Sequence, residues 1–346
     1  MNKKDDMYDE FKMFQPSEYE TVMKALGPDS RFHYLVHNKT QDKFGYLFNK
    51  RYSEDDSHYA PYLMYKMAKK IGINAPETEL GIYLEKDIDL ATYRDSFYEA
   101  SLVYRPEWDS FSFRMSNLGL SYAAQEVVQA IYFQDNPEVA QKSHTPRKTP
   151  ITVDEYIMSN IYFITSRGSK PKDEYTEEEI SSIKQELIDR LMFGLKFGID
   201  GQTSIRMFEH ANARLDTYYL SSSNMLDLNL HYDWINDMLK IDDKEFLEQV
   251  DREHKPQYGI SPYEQVPNAK KVLNYIYKKY PKEAENSYKK ISLYTKADFE
   301  EELNSLKRLI PEKKKFAIRF FDVKQKEFAS AYQEHLKAIR ENDEIR

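Results

Sequence analysis

Residues 186–208 read ELIDRLMFGLKFGIDGQTSIRMF, and the reading of the whole chain turns on them. Just upstream, Thr176 precedes EEEISSIKQ, with Glu179 placed to complete a capping box. In that motif a hydroxyl and a carboxylate each satisfy the other residue's backbone N–H. Ile180, Ile183, Leu187, Ile188 and Leu191 then recur at helical spacing, which predicts an amphipathic helix over 177–197. Gly198 suits its C-terminal cap, because a residue without Cβ turns left-handed at no steric cost. Immediately beyond the predicted helix end come an aspartate, Asp200, a second glycine, Gly201, and a cation, Arg206.

Working outward, residues 32–37 (FHYLVH), 38–43 (NKTQDK) and 44–52 (FGYLFNKRY) read as two strands joined by a polar turn. On the second strand Tyr46, Phe48 and Lys50 share one face, by the two-residue period of a strand. Leu63, Met64, Met67, Ala68 and Ile71 predict a helix over about 58–71, with Pro61 in its first turn and Gly72 at its stop. INAPETELGIYLE (73–85) and ASLVYR (100–105) supply two more strands. After about residue 110 the patterns turn helical: 121–133 (SYAAQEVVQAIYF), 152–166 (TVDEYIMSNIYFITS), and stretches near 243–251, 267–279, 297–309 and 323–341. The run EKKKFAIRFF (312–321) reads as a solvated charge run ahead of a buried element. A basic, proline-rich loop, SHTPRKTP (143–150), is read as a plain surface loop; the alternative is a phosphoacceptor or docking loop carrying Ser143, Thr145 and Thr149. The expected organisation is an N-terminal arm or short helix over 1–30, a small β-rich lobe over 31–110 and an α-helical lobe over 111–346.

Composition narrows the chemistry. The 346 residues include 10 glycines, none spaced as G-x-G or as G-x-x-x-x-G-K, so the usual Gly-rich phosphate cradles are absent. With no cysteine, thiol catalysis, disulfides and thiolate metal sites are excluded together. A net charge of −8 disfavours a broad nucleic-acid surface. The eight histidines include no H-E-x-x-H, and His33 and His37 on one strand would stand about 13 Å apart, too far for one metal. The opening MNKKDDMYDEFKMF lacks the apolar core of a signal peptide, and no apolar run is long enough to span a membrane. A soluble cytoplasmic protein is expected.

The order of these elements resembles the HipA-like protein kinases of bacteria, including the smaller stand-alone members. The resemblance covers about residues 32–235. It rests on YLFNKRY (46–52), on APYLMYKMAKKIGINAP (60–76), on ELIDRLMFGLKFGIDGQTSIRMF and on SSSNMLDLNL (221–230). It implies an α+β, two-lobed protein-kinase-like fold, with a small β-rich N-terminal lobe and a larger α-helical C-terminal lobe. It also implies ATP and Mg²⁺ as cofactors, Lys50 on the nucleotide phosphates and Asp227 as the metal-binding carboxylate. Phosphoryl transfer needs such parts: a cation on the phosphates, a carboxylate for the hydroxyl proton and oxygen ligands for the metal.

The sequence departs from that pattern in definite places. Pro61 occupies the position of the glutamate that pairs the lysine. Aligning on Gly198 puts Gly201 at the catalytic aspartate, Thr203 at the histidine and Arg206 at the metal-binding asparagine. A shift by one residue makes Asp200 the base but leaves Ile205 at the metal position. Arg206 is then read as a phosphate clamp. Each candidate has a plainer alternative: an edge-strand lysine for Lys50, turn aspartates for Asp200 and Asp227, and a surface ion pair for Arg206. The expectation is a degenerate, pseudokinase-like protein that binds nucleotide or a protein partner, or transfers phosphate weakly. Its rival is a non-enzymatic interaction module of a bacterial mobile element, with an α-rich half that binds another protein.

Overall fold

A computed structural model describes residues 12–14, 18–24, 34–49, 59–83, 98–105, 119–123, 151–167, 170–208, 214–224, 232–253, 256, 258–261, 268–307 and 309–345. The chain divides into two compact units. One takes its described residues from Met1–Ala68 and Ala75–Ser116, the other from Lys69–Asn74, Asn117–Met225 and His231–Arg346.

The first unit is built on a six-stranded sheet. Its strands are β1 (Lys12–Phe14), β2 (Tyr19–Lys24), β3 (Tyr34–Asn38), β4 (Lys43–Asn49), β5 (Thr78–Tyr83) and β6 (Tyr98–Arg105). They lie in the order β1-β5-β6-β4-β3-β2, antiparallel except for the parallel pair of β1 and β5. The polar turn joining β3 to β4 folds as expected. Asn38 Oδ1 accepts from the backbone N–H groups of Thr40 and Gln41 at 3.1 Å each, and Asp42 takes the left-handed region at φ 50°. Helix α1 (Tyr59–Ile71) follows β4, burying Tyr59, Leu63 and Met67 along one stripe, and Gly72 ends it at φ 72°. Strand, strand, helix, strand, strand is therefore the observed order from β3 to β6.

Residues 1–30 differ from the expected arm or short helix, because β1 and β2 lie within them and join the sheet. The partner of β1 is β5, more than sixty residues away in sequence, so no local pattern announces the pairing.

The second unit holds a three-stranded sheet and eight helices among its described residues. Strand β7 (Gly119–Ala123) begins in the stretch expected to be helical. Its residues Ser121 to Ala123 pair with β8 (Ile199–Phe208), which pairs in turn with β9 (Arg214–Asn224), all antiparallel. Between β7 and β8 come α2 (Val153–Arg167) and α3 (Glu177–Phe197); after β9 come α4 (Tyr232–Met238), α5 (Asp243–Glu253), α6 (Ala269–Lys279), α7 (Pro281–Ile291), α8 (Lys296–Ser305) and α9 (Pro311–Ile345). Helix α3 packs on α7, α9 lies along α6, and α2 rests on α3. The first turn of α2 is tied to α6 through Asp154, which accepts the hydroxyls of Tyr275 at 2.8 Å and Tyr280 at 2.6 Å. Burial, helped by the Asp154 carboxylate, pushes the Tyr275 hydroxyl up to about 12. No helix among the described residues is long and apolar enough to cross a membrane.

Helix α9 corrects the reading of EKKKFAIRFF. At 35 residues it extends about 52 Å, and the run forms its first turns, with Phe316, Phe320 and Phe321 buried. The lysines hide a helical stripe that the phenylalanine spacing carries.

The expected capping box opens α3: Thr176 Oγ1 accepts from Glu179 N, and Glu179 Oε2 accepts from Thr176 N at 2.8 Å. Its end is fixed more tightly. Gly198 caps α3 in the left-handed region, at φ 58° and ψ 35°. A Cβ built there would lie 2.5 Å from Cζ of Phe320, a residue of α9 that is 2% exposed. Gly198→Ala is therefore expected to cost about 2–4 kcal/mol, from left-handed strain together with overpacking. Urea unfolding checks it, and an unchanged midpoint would contradict the close approach.

Candidate functional site

The candidate region is the end of α3 and the strand that leaves it. Three charged side chains of α3 are buried as the helix approaches Gly198: Asp189, Arg190 and Lys196. Their environments differ. Asp189 accepts from Ser287 Oγ at 2.6 Å, Lys290 Nζ at 2.6 Å and Gln185 Nε2 at 2.9 Å, so its charge is held by donors from α3 and α7. Arg190 is fully buried and donates through Nη2 to Glu186, one turn back. Its Nε and Nη1 have no hydrogen-bond partner among the described residues. Lys196 is 1% exposed, and burial pulls its ammonium down to about 7.

Beside Asp189 an open groove of about 750 Å³ runs between α3 and α7, with Glu178, Ser182, Glu186, Asn286 and Lys290 on its walls. Sequence reasoning missed it. Asp189 and Lys290 are 101 residues apart, and nothing short of the helix packing brings them together.

Strand β8 starts directly after Gly198, with no loop between. It is the central strand of its sheet, paired with β7 on one edge and β9 on the other. Of β7, β8 and β9 only the backbone is described. Asp200, expected at a turn, lies in β8 at an irregularity of the ladder. Ile199 pairs with Asn224 and Gly201 with Leu220, so Asp200 stands opposite Ser221, Ser222 and Ser223. Bulges of this kind bend a strand and re-aim its residues. A second irregularity falls between Thr203 and Ile205.

Arg206 follows, paired with Ser121 of β7 and with Arg214 of β9. Asp200 and Arg206 are thus separated along the strand by about 20 Å at the usual rise. Lys50 and Asp227 lie outside the described residues, as does the 143–150 loop. Arg214 was not singled out from the sequence, since its partnership with Arg206 needs the register of the hairpin.

Among solved structures, the chain is similar to the Helicobacter pylori proinflammatory kinase CtkA. The likeness has a TM-score of 0.60 and covers 94% of this chain and 99% of that one. The fold is that of a protein kinase. The two-lobed α+β architecture expected from the order of elements is present, with the strand-rich unit first and the helical unit second. At 8% identity the likeness carries the kinase fold and none of the chemistry. No family model matches the chain, and no curated protein is similar to it in sequence. Among the described residues no cluster of three or more His, Asp or Glu is arranged to hold a metal ion.

Within the kinase fold, Asp189 joins the middle of α3 to α7. Asp189→Ala removes the acceptor for three donors, one of them a lysine. The expected loss is about 2–4 kcal/mol, near the lower part of the range for breaking a buried pair because Lys290 can reach water. Denaturant unfolding measures it. A double-mutant cycle with Lys290→Met should show coupling above about 1 kcal/mol, and additivity would mean the pair contributes nothing.

Proposed function

We propose that this kinase-fold protein is a degenerate HipA-like member, in which arginines rather than a metal meet the phosphates of a bound nucleotide. The observation that carries the reading is the register pair of Arg206 and Arg214 on adjacent strands. Like charges directly opposite each other across a sheet are unfavourable, and an anion between them reverses the sign. The HipA-like resemblance puts a metal-binding amide at Arg206. Two guanidinium-bearing residues supply no oxygen ligand, so Mg²⁺ does not fit there and no step is routed through it. Lys50 is the further phosphate contact of this scheme, Asp227 the carboxylate left for any metal, and Asp200 the one base the segment offers. With Asp200 about 20 Å along the strand from Arg206, phosphoryl transfer by this pair is disfavoured, because catalysis needs reacting groups within a few ångströms.

ATP should therefore raise the melting temperature by about 2–4 °C at tenfold above its dissociation constant. The shift should be the same with Mg²⁺ or with EDTA. Arg206→Ala and Arg214→Ala should each weaken it, by about tenfold in affinity, and Lys50→Ala should do likewise. The absence of any shift at millimolar ATP would sink the reading. A shift that needs Mg²⁺, joined by autophosphorylation lost in Asp227→Ala, would replace it with a working kinase.

A second reading, a protein-interaction module without nucleotide chemistry, is favoured by α2. Its Met158 is 60% exposed and its Tyr162 47% exposed, one turn apart on the same face. Such a pair is a small apolar spot that a partner protein could cover.

A further inference from the structure

Lys196 is the penultimate residue of α3, and no carboxylate among the described residues pairs with it. Its Nζ donates to two backbone carbonyls. One belongs to Ile291, the last residue of α7, at 3.3 Å, and the other to Tyr294 at 3.5 Å. Both are long for a charged donor, for which about 2.8 Å is usual. The rings of Phe197, Phe321 and Phe328 surround the rest, with centroids 4.9, 5.5 and 5.6 Å from Nζ. Ring faces and the negative end of a helix attract a cation, but they replace only part of the water it has lost. Burial accordingly lowers its proton affinity far below that of an ordinary lysine.

The corner it touches, between α7 and α8, is underbonded in the same way. Ser292 Oγ and the Tyr294 hydroxyl are buried without a hydrogen-bond partner among the described residues. Two backbone bonds there are long turn bonds, from Leu293 N to Lys290 O at 3.2 Å and from Tyr294 N to Ile291 O at 3.3 Å. They lie between a helical bond from Ser292 N to Tyr288 O at 2.9 Å and the Thr295 cap, whose N donates to Asp298 Oδ2 at 2.8 Å. The segment Lys196 touches thus carries two further buried side-chain polar groups that water would satisfy better.

Charged groups on the surrounding elements are engaged elsewhere. Arg190 of α3 binds Glu186, and Lys290 of α7 binds Asp189. On α9, Lys324 binds Glu327 and Asp251, while Asp322 faces Lys296 and Lys326. On α8, Asp298 binds Lys70, and together with Glu301 and Glu302 it bears on the Tyr294 hydroxyl.

We propose that Lys196 is a proton-operated latch, whose protonation opens the corner between α7 and α8 and whose deprotonation closes it against α3. The proton comes from hydronium or a buffer acid in solvent: its O–H bond breaks as an N–H bond forms at Nζ, and no heavy-atom bond changes. An opened Lys196 meets water and regains ordinary lysine affinity, near 10.4. Opening therefore takes up a proton, and by linkage its equilibrium rises as pH falls between the two affinities. From pH 9 to pH 7 the open fraction should grow roughly fifty-fold. Below pH 7 the closed form is protonated as well, and the dependence levels off. Lys196 lies just before Phe197 and the Gly198 cap, so the latch sits at the end of α3 that leads directly into β8.

Amide hydrogen exchange on the full chain tests it, with rates corrected for intrinsic pH dependence. Residues 292–296 should be roughly fifty-fold less protected at pH 7 than at pH 9 and nearly level from pH 7 to pH 6. In Lys196→Met that dependence should vanish. Protection that ignores pH in the wild type, or a variant that keeps the wild-type slope, would overturn the latch. If Lys196→Met fails to fold, the wild type decides alone. With lysines labelled at ¹³Cε, one resonance should titrate near pH 7, and titration of every lysine above pH 9.5 would overturn the proposal.

Discussion

At Gly198 a helix becomes a strand, and the ring of Phe320 occupies the space any side chain would need. The second unit is arranged around this contact. The glycine turns the chain left-handed at the end of α3, so that β8 starts at once and becomes the middle strand between β7 and β9. Phe320 belongs to the first turns of α9, whose neighbours Phe316 and Phe321 are buried with it. The ring of Phe321 in turn stacks on Phe299 of α8 at 4.8 Å. A side chain at Gly198 would have to displace the buried Phe320 ring, which the packing around it resists.

The same helix end gathers three buried charges, and their contrast shows what burial demands. Asp189 is enclosed by donors from α3 and α7, so its desolvation is offset by charge-assisted hydrogen bonds. Arg190 has one carboxylate and two guanidinium nitrogens left without a partner among the described residues, while Lys196 has only distant carbonyls and ring faces. A guanidinium keeps its proton under any such conditions, whereas an amine does not. Burial pulls the Lys196 ammonium down to about 7.

Kinase shape and kinase chemistry rest on different features. The shape follows from packing, which tolerates almost any apolar residue of suitable volume, and so survives at 8% identity. The chemistry rests on a few polar atoms converging within a few ångströms. Here the segment from Ile199 to Phe208 is extended and paired on both edges, which spreads Asp200 and Arg206 apart along it. The same ladder sets Arg206 opposite Arg214 in register.

By itself the sequence determined the elements whose signals are local: the hairpin turn at Asn38–Asp42, the apolar stripe of α1, the Thr176–Glu179 capping box and the glycine stop at Gly198. Periodicity, capping and turn chemistry act within a few residues and leave their mark in the string. From their order the two-lobed kinase fold was legible before any coordinates. What only the tertiary structure decided were the non-local pairings. The parallel seat of β1 on β5, the strand at Ser121 where the sequence suggests helix, the first turns of α9 behind their lysines, the bulge at Asp200 and the meeting of Arg206 with Arg214 all depend on partners far along the chain. Strand partnership and helix packing are chosen by the fit of whole surfaces, and that choice writes no local signal at the residues it brings together.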